Sequence, residues 1–282
     1  MTALLYFTSL AVLGGLLYLI VSASPKKPRH DRNWKVDYAV MPRIDSEGRE
    51  VTIYDLRDFR YGEVDSSGDI PEGVRVAYDT RTYDLDKLES LWLVLESFSR
   101  FDAVAHTLLS FGFSDGRYLA VSIEARIPKG ERYDLLRGAF KTFELIYLFG
   151  DERDLIARRA KVLDHDVYLY PIRATPKVIR DLLLSYLRAA DKLVEQPRFY
   201  NSLFDNCTSG IVKHVTEVDP SALSRYTVAQ IAPGWSDRIL YSRNLIATDL
   251  PFEELRPHFN VKEKATKYAT DPEFSKKIRE GL

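Results

Sequence analysis

The chain contains one cysteine, Cys207, and it lies where a helix is predicted to begin. Asp205 or Asn206 can cap that helix, because a short polar side chain accepts a hydrogen bond from the free backbone N–H groups of the first turn. Those N–H groups and the positive end of the helix dipole lower the pKa of a thiol placed there. The position suits a nucleophile, and it equally suits an inert buried cysteine.

A thiol nucleophile needs a base within hydrogen-bond reach and a group that orients the base. Three of the five histidines are most simply surface residues of a linker, an acidic turn and the tail: His30, His165 and His258. His214 follows Cys207 by seven positions on the same predicted helix. That spacing is about 10 Å along the axis, which is too far for direct contact. His106, in an apolar strand, is the remaining candidate base, and it could equally be a satisfied core histidine.

The clearest predicted hairpin turns at Ser114-Asp115-Gly116, and its register decides whether His106 has a carboxylate opposite it. If Asp-Gly alone forms the turn, His106 faces Ala125, and Glu124 points to the other side of the sheet. If all three residues form the loop, His106 lies directly opposite Glu124. We favour the three-residue loop, because Ser-Asp-Gly suits a type I turn closed by a glycine bulge. Glu124 could instead form an ion pair with Arg126.

The elements that must position these residues belong to one mixed domain. Apolar or alternating runs predict three further strands, at 51–54, 92–96 and 167–172. Residues 178–194 form a strongly amphipathic helix, and residues 135–149 are apolar enough for a helix or a helix-strand pair. The charged tail beyond residue 250 is expected to contain short helices and to be peripheral.

Composition excludes several classes of function. At 282 residues and 45% hydrophobic content, the chain can bury a full core. Its 40 basic and 41 acidic residues nearly balance, so we expect no nucleic-acid partner. A single cysteine excludes an intrachain disulfide framework, and no close-spaced His, Cys and Asp set predicts a metal site. Because no phosphate-binding loop or dinucleotide fingerprint is present either, we expect no cofactor.

The N-terminal residues 3–23 carry no charge and are about long enough for one transmembrane helix. We therefore predict four segments: a transmembrane anchor or signal segment at 1–24, a basic linker at 25–34, a catalytic domain at 35–250 and a charged tail at 251–282. Val21-Ser22-Ala23 also has the small-residue spacing of a signal-peptide cleavage site. The basic residues that follow the segment would, by the positive-inside rule alone, leave the domain in the cytoplasm.

Five blocks of the sequence resemble, in order, the periplasmic domain of the bacterial lipoprotein N-acyltransferase family called Lnb: 105–113, 122–126, 143–147, 151–154 and 200–208. The resemblance covers most of the chain from about residue 34 to residue 237. Its most specific parts are the block that begins Ala105-His106-Thr107 and the block that ends Asn206-Cys207-Thr208.

The resemblance implies an α+β fold, namely a circularly permuted papain-like domain in which an antiparallel sheet packs on helices and the histidine precedes the cysteine. In this chain, one N-terminal transmembrane helix would precede the papain-like domain. The resemblance implies Cys207 as nucleophile, His106 as general base and Glu124 as the group that orients the base. Polar residues of the cysteine block are candidates for binding the substrate or the oxyanion: Tyr200, Asn201 and Asn206. The start of the Cys207 helix is then expected to pack against the face of the hairpin that carries His106.

The same resemblance implies a thiol acyltransferase. Its cysteine takes an acyl chain from the diacylglyceryl group of a lipoprotein as a thioester, and the chain then passes to the α-amino group of the lipoprotein's N-terminal cysteine. The expected partner is a lipid or lipoprotein at the membrane surface, and the expected location is the cytoplasmic membrane with the domain on the periplasmic side. Acyl hydrolysis, a papain-like cell-wall amidase or peptidase, and an idle binding domain are the alternatives. The oligomeric state is left open.

Overall fold

The computed structural model describes Gly15 and residues 26–62, 73–98, 101–224 and 227–282. The strands are β1 (Arg43–Glu47), β2 (Glu50–Arg57), β3 (Arg60–Tyr61), β4 (Val74–Arg75), β5 (Tyr78–Asp84), β6 (Leu88–Ser97), β7 (Ala105–Phe113), β8 (Tyr118–Arg126), β9 (Glu144–Asp151) and β10 (Asp166–Pro171). The α-helices that follow are α1 (Leu135–Gly138), α2 (Glu152–Ala157), α3 (Pro176–Glu195), α4 (Cys207–Val218), α5 (Ser236–Ser242), α6 (Phe252–Phe259), α7 (Lys262–Lys267) and α8 (Phe274–Lys277). Short 3-10 turns lie at Val36–Tyr38, Leu85–Lys87, Val228–Gln230 and Pro233–Trp235, and a π-helical turn lies at Arg158–Val162.

An eight-stranded sheet organises the domain, with strand order β1-β2-β9-β8-β7-β6-β10 and with β5 paired to β2. Neighbouring strands are antiparallel except β2 and β9, which meet in parallel at one residue pair. β3 and β4 form a separate two-stranded sheet. The three further strands predicted from the sequence coincide with β2, β6 and β10, and β10 ends at Pro171 as a proline-terminated strand should.

The β7–β8 hairpin has the predicted three-residue loop. The N–H of Gly116 donates to the carbonyl of Phe113 at 2.9 Å, and the N–H of Phe113 donates to the carbonyl of Arg117 at 2.9 Å. Gly116 has φ +82°, a left-handed conformation that glycine adopts without strain. These bonds define a type I turn closed by a glycine bulge. The predicted register is confirmed, and continuing it from the paired Leu108 and Ser122 places His106 opposite Glu124.

Helices cover both faces of the sheet. On the first face, alternate residues of β7 and β8 such as Leu109 and Val121 pack against α3 and α4. The predicted amphipathic helix at 178–194 is α3, and the apolar residues of one of its faces are buried: Leu182, Leu183, Tyr186, Leu187, Ala190 and Leu193. On the second face, Leu108 and Ala120 pack against α2 and the C-terminal helices. A sheet covered in this way presents a different set of side chains to each layer.

The C-terminal tail is part of this second layer, so the expectation that it would be peripheral is wrong. Val261, Ala265 and Ala269 recur at the four-residue spacing of one helical face and are buried against Val167 and Leu169 of β10. Phe274 and Ile278 continue the same packing. The high charge of the tail concealed this narrow apolar stripe.

The predicted basic linker also contacts the domain. Arg32 donates to Glu144 at 2.7 Å and to Glu131 at 3.0 Å. Trp34 is buried, and the centre of its ring lies 4.3 Å from the guanidinium of Arg126. Residues 32–34 therefore hold the N-terminal side of the domain against β8 and β9.

The transmembrane part of the predicted fold class is overturned. Across the described residues, no helix is long and apolar enough to cross a membrane. The 20-residue helix α3 has sufficient length, but its outer face is charged. The predicted anchor at 1–24 lies, apart from Gly15, outside the described residues. A mixed α+β fold, with one large sheet between two helical layers, replaces the predicted circularly permuted papain-like domain with one N-terminal transmembrane helix.

Candidate active site

Cys207 is the first residue of α4 and is 4% exposed. Asn206 caps the helix, because its side chain accepts from the N–H of Ser209 while the Ser209 hydroxyl accepts from the N–H of Asn206. One turn later Gly210 lies against Ile123 of β8, where a Cβ atom would come within 2.4 Å of Ile123 Cδ1. The glycine therefore allows α4 to approach the sheet closely at the open end of the hairpin.

The helix packs on the opposite face of the sheet from His106, so that part of the sequence-based expectation is wrong. Thr107 Oγ1 lies 2.8 Å from Thr208 Oγ1 and joins β7 to the first turn of α4. Because side chains alternate along a strand, His106 and Glu124 point to the second face, with Leu108 and Ala120. The packing of α4 alone would separate the thiol from the imidazole.

The end of the β7–β8 pairing brings the two groups together nonetheless. The ladder stops at Leu108 and Ser122, so the N–H of Thr107, which would form the next rung, has no partner on β8. That N–H and the His106 side chain both act on the sulfur of Cys207 and lower the pKa of the thiol, and the two side chains line one cavity. The thiol thus lies where the two strands separate, and it can meet a side chain from the other face.

A hydroxyl and a carboxylate contact the Nε2 atom of His106. Its Nε2 atom lies 2.8 Å from Ser122 Oγ and 3.1 Å from Glu124 Oε1. The Ser122 hydroxyl donates to the same Glu124 oxygen at 2.7 Å. Because Nε2 is occupied in this way, Nδ1 is the ring nitrogen left to face the thiol.

The electrostatics of the site favour a charged pair. Burial by itself lowers the pKa of His106, but the Glu124 carboxylate and Cys207 outweigh it and raise that pKa to about 10. Burial by itself raises the pKa of Cys207, but His106, the Thr107 N–H and Thr208 lower it to about 7. The pKa of Glu124 is held well below its usual range against burial, chiefly by His106 and then by Arg159. Near neutral pH the site therefore favours a thiolate next to an imidazolium.

Arg159 links Glu124 to a second carboxylate and is a residue that the sequence analysis missed. Its Nη2 atom donates to Glu124 at 2.6 Å, and its Nε atom lies 2.8 Å from Glu96, although the N–H bond is not well aimed at that oxygen. His165 Nδ1 donates to the other Glu96 oxygen at 2.7 Å. The π-helical turn at Arg158–Val162 places Arg159 between the two carboxylates.

A signal for part of this network was present in the sequence. Glu96 ends the apolar run of β6, and it is the cross-strand partner of His106. A buried carboxylate in such a run needs a charged or hydrogen-bonding partner. His165, which the sequence suggested was a surface residue, supplies one of them. No periodicity could have indicated that Arg159 supplies the other.

The three further polar residues of the cysteine block have different environments. Both hydrogens of the Asn206 amide are used, by the carbonyls of Ser202 and Gln230 at 2.9 and 2.8 Å, so Asn206 has no free donor for a substrate. Asn201 shapes the loop before α4, since its oxygen accepts from the N–H groups of Leu203 and Phe204. Tyr200 is buried, lines the same cavity as Cys207 and packs edge-on against the ring of Tyr133. Of the three, only Tyr200 keeps a position suited to an oxyanion.

A cavity of about 530 Å³ contains the Cys207, His106 and Glu124 side chains. Half-exposed apolar side chains line its mouth: Phe98, Leu135 and Ile231. Charged and polar groups line another part: Glu96, Arg158, Arg159 and His165. Among the described residues, no group of three or more His, Cys, Asp or Glu side chains is placed to hold a metal ion.

The fold and site define a mixed α+β domain whose one cysteine lies at a helix N-terminus close to a histidine and a partly buried carboxylate. The profile of the Lnb N-terminal periplasmic domain family matches residues 75–234, which is more than half of the chain, and the chain belongs to this family. The family prediction is thus confirmed, and the description of the family supports an extracytoplasmic location. Neither the comparison with curated proteins nor that with solved structures gave a match.

Proposed function

We propose that this domain is a cysteine-dependent acyltransferase or acyl hydrolase of the Lnb type that acts on lipoprotein acyl groups. Cys207 is the nucleophile, His106 the general acid and base, and Glu124 the carboxylate that stabilises the imidazolium. The observation that carries the proposal is that Cys207 and His106 line one cavity, with Glu124 at 3.1 Å from His106. A cysteine with only a packing role needs no such partner.

The first half of the reaction forms a thioester. The Cys207 thiolate attacks the ester carbonyl carbon of the lipid, so a C–S bond forms and the carbonyl oxygen becomes an oxyanion. The protonated His106 gives its proton to the departing alkoxide as the ester C–O bond breaks. The backbone N–H of Cys207 suits the oxyanion, because the first N–H groups of a helix have no acceptor within the helix. The Tyr200 side chain is the second candidate donor.

The second half returns the enzyme to its initial state. His106, now neutral, takes a proton from the incoming α-amino group of the lipoprotein as the nitrogen attacks the thioester carbon. A C–N bond forms, the C–S bond breaks and the thiolate is restored. With water as the acceptor, the same steps release a free fatty acid. The choice between transferase and hydrolase therefore depends on which acceptor reaches the thioester.

The cavity mouth supports a substrate with an acyl chain. Phe98, Leu135 and Ile231 are 41%, 50% and 69% exposed, so three large apolar side chains meet solvent around one opening. Apolar side chains around an opening that leads to a nucleophile suit a hydrocarbon chain. The substrate class is thus a lipid or lipoprotein presented at a membrane surface.

A test begins with a diacylglyceryl lipopeptide that has a free N-terminal amine. Intact-protein mass spectrometry should show the wild-type chain heavier by one acyl group, which neutral hydroxylamine removes because the linkage is a thioester. Cys207→Ala should show no such adduct. Mass spectra of lipoprotein N-termini from cells with and without Cys207→Ala then report transfer in the host. Unchanged N-terminal acylation in that comparison would exclude lipoprotein modification there.

The polar part of the cavity favours a second candidate, a cell-wall amidase or peptidase. Glu96, Arg158 and His165 could bind the charged groups of a short peptide at the same nucleophile. The same mass-spectrometric assay with a muropeptide would detect cleavage at a peptide bond. Cleavage of the muropeptide without a lipid-derived adduct would replace the first candidate with the second.

A further inference from the structure

The hydroxyl of Ser122 stands between His106 and Glu124, and nothing in the sequence analysis gave it a role. Its Oγ atom lies 2.8 Å from His106 Nε2 and 2.7 Å from Glu124 Oε1, so it is closer to the imidazole than the carboxylate is. Ser122 is fully buried on the second face of β8. A buried hydroxyl with two polar neighbours forms its hydrogen bonds in a defined direction.

The direction of these bonds follows from counting protons. A serine hydroxyl has one hydrogen to donate, and an ionised carboxylate can only accept. Arg159 donates to the same Glu124 oxygen and keeps the carboxylate ionised. Ser122 must therefore give its hydrogen to Glu124, and its oxygen must accept from Nε2–H of His106. If Ser122 instead donated its hydrogen to Nε2, the oxygens of Ser122 and Glu124 would lie 2.7 Å apart with no hydrogen between them.

The bond from Nε2–H to Ser122 determines the tautomer of the imidazole. With the hydrogen fixed on Nε2, the neutral ring has its lone pair on Nδ1, which faces Cys207. We propose that Ser122 is a positioning residue that holds His106 in this tautomer and orientation, so that Nδ1 can exchange the proton of the Cys207 thiol. The inference rests on the proposed function, because it assumes that His106 acts on the thiol.

Charged groups on every neighbouring element act on the same imidazole. Glu124 comes from β8, Glu96 from β6 and Cys207 from α4, and Arg159 of the π-helical turn acts through the two carboxylates. Without the hydroxyl, Nε2–H could still reach Glu124 directly, at the longer 3.1 Å distance. The effect of losing Ser122 should therefore be smaller than the effect of losing Glu124.

Ser110 offers a matched control. It is also fully buried, it lies on the neighbouring strand β7 and points to the same face, and its hydroxyl donates to Glu152 at 2.6 Å. Glu152 in turn pairs with Arg279 at 2.6 Å. Ser110→Ala thus removes a buried serine-to-glutamate hydrogen bond of the same kind, but one with no histidine attached.

The experiment measures the alkylation of Cys207 by iodoacetamide as a function of pH, which is specific because the chain has one cysteine. We expect Ser122→Ala to raise the midpoint pH of the profile by about one unit from about 7, equivalent to a roughly fivefold slower reaction at neutral pH. Ser110→Ala should leave the midpoint unchanged. Ser122→Thr, which keeps the hydroxyl, should also retain the wild-type midpoint.

Any alkylation result that differs from these expectations overturns the inference. An unshifted Ser122→Ala profile would show that the hydroxyl does not position His106. Equal shifts in Ser122→Ala and Ser110→Ala, or in Ser122→Ala and Ser122→Thr, would indicate general loosening or steric change. Failure of the proposed function has a different signature: the wild-type thiol would then react no faster than a free thiol, and His106→Ala would change nothing. If Ser122→Ala does not fold, the ¹⁵N chemical shifts of the His106 ring in the wild type, recorded above about pH 10, decide instead: a hydrogen on Nδ1 rather than on Nε2 of the neutral ring would overturn the inference.

Discussion

His106 is partly buried and His214 is buried, and each hydrogen-bonds a serine that in turn hydrogen-bonds a glutamate. For His214, Nδ1 lies 2.8 Å from the hydroxyl of Ser185, which donates to Glu217 at 3.2 Å. Its Nε2 atom lies 2.9 Å from the hydroxyl of Tyr147. This second cluster fastens α4 to α3 and β9 at the end of the helix away from the cysteine.

The two imidazoles nevertheless have opposite proton affinities. Burial, together with Lys213 and Arg188, lowers the pKa of His214 to about 4, whereas Glu124 and Cys207 raise that of His106 to about 10. Glu217 is exposed and touches only the serine, so water screens its charge. Glu124 is shielded from bulk water and also contacts the imidazole directly. A hydrogen-bonded serine therefore orients each histidine, and a partly buried carboxylate in direct contact with the imidazole raises the pKa of His106.

The largest effect expected from this comparison is that of removing each imidazole. His106→Ala should slow acyl transfer by about 10²- to 10⁴-fold, the usual contribution of a general acid and base. It should slow alkylation of Cys207 at neutral pH by roughly 15- to 50-fold, because the thiol pKa returns from about 7 toward its ordinary value. His214→Gln should destabilise the fold by about 1–3 kcal/mol through its unsatisfied partners. Alkylation kinetics and urea unfolding of both variants measure these effects.

The roles would be reversed if His214→Gln lost thiol reactivity while remaining folded. Equal losses in both variants would show that α4 moves as a unit when either end is disturbed. Circular dichroism of each variant, recorded under the conditions of the alkylation assay, separates a folded but unreactive protein from an unfolded one.

Neutralising the carboxylates is the next largest change. Glu124→Gln removes the charge that stabilises the imidazolium, so the pKa of His106 should fall and that of Cys207 should rise from about 7. We expect a loss of roughly 10-fold in alkylation rate at neutral pH. Glu217→Gln, the matched change in the His214 cluster, should leave the rate within about twofold, as for other exposed charges. An equal loss in both would contradict the distinction drawn between a partly buried and an exposed carboxylate.

The pH dependence of the wild-type enzyme should separate the two titrating groups. Acyl transfer should rise with pH through about 7 as Cys207 loses its proton, and it should fall through about 10 as His106 loses the proton needed by the leaving group. Alkylation by iodoacetamide needs no such proton, so its rate should rise through the lower value and then stay level. A matching fall in both assays at high pH would indicate unfolding rather than titration of His106.

The sequence predicted the parts of this comparison that depend on local spacing. The Ser-Asp-Gly loop determined the β7–β8 register, and that register brought His106 and Glu124 together. The helix start at Cys207 followed from its capping residues. Each of these features is contained within a few neighbouring residues, so chain order alone was sufficient to infer it.

Features that depend on tertiary placement were not predictable in the same way. Arg159 reaches Glu124 and Glu96 only because a π-helical turn follows α2, and α4 lies on the face opposite to the one expected. Asn206 was assigned a substrate role because it precedes the cysteine. Its side-chain NH₂ instead donates to two backbone carbonyls, one in the preceding loop and one in the 3-10 turn at Val228–Gln230. Side-chain partners of this kind are set by packing, which one sequence does not reveal.

The smallest expected effect concerns stability, and it tests His214 alone. The pKa of His214 is about 4 in the folded state, compared with about 6.5 for an exposed histidine. Between those values the unfolded chain binds the proton that the folded chain excludes, so the contribution to stability is present above about pH 6.5 and is lost as the pH falls toward 4. From about pH 7 to about pH 5 the wild type should lose about 2 kcal/mol more unfolding free energy than His214→Gln, which cannot titrate. Urea unfolding of both proteins at the two pH values measures the difference. Equal losses of unfolding free energy in the two proteins would show that His214 is protonated within the fold, where its serine and tyrosine partners accept an imidazolium.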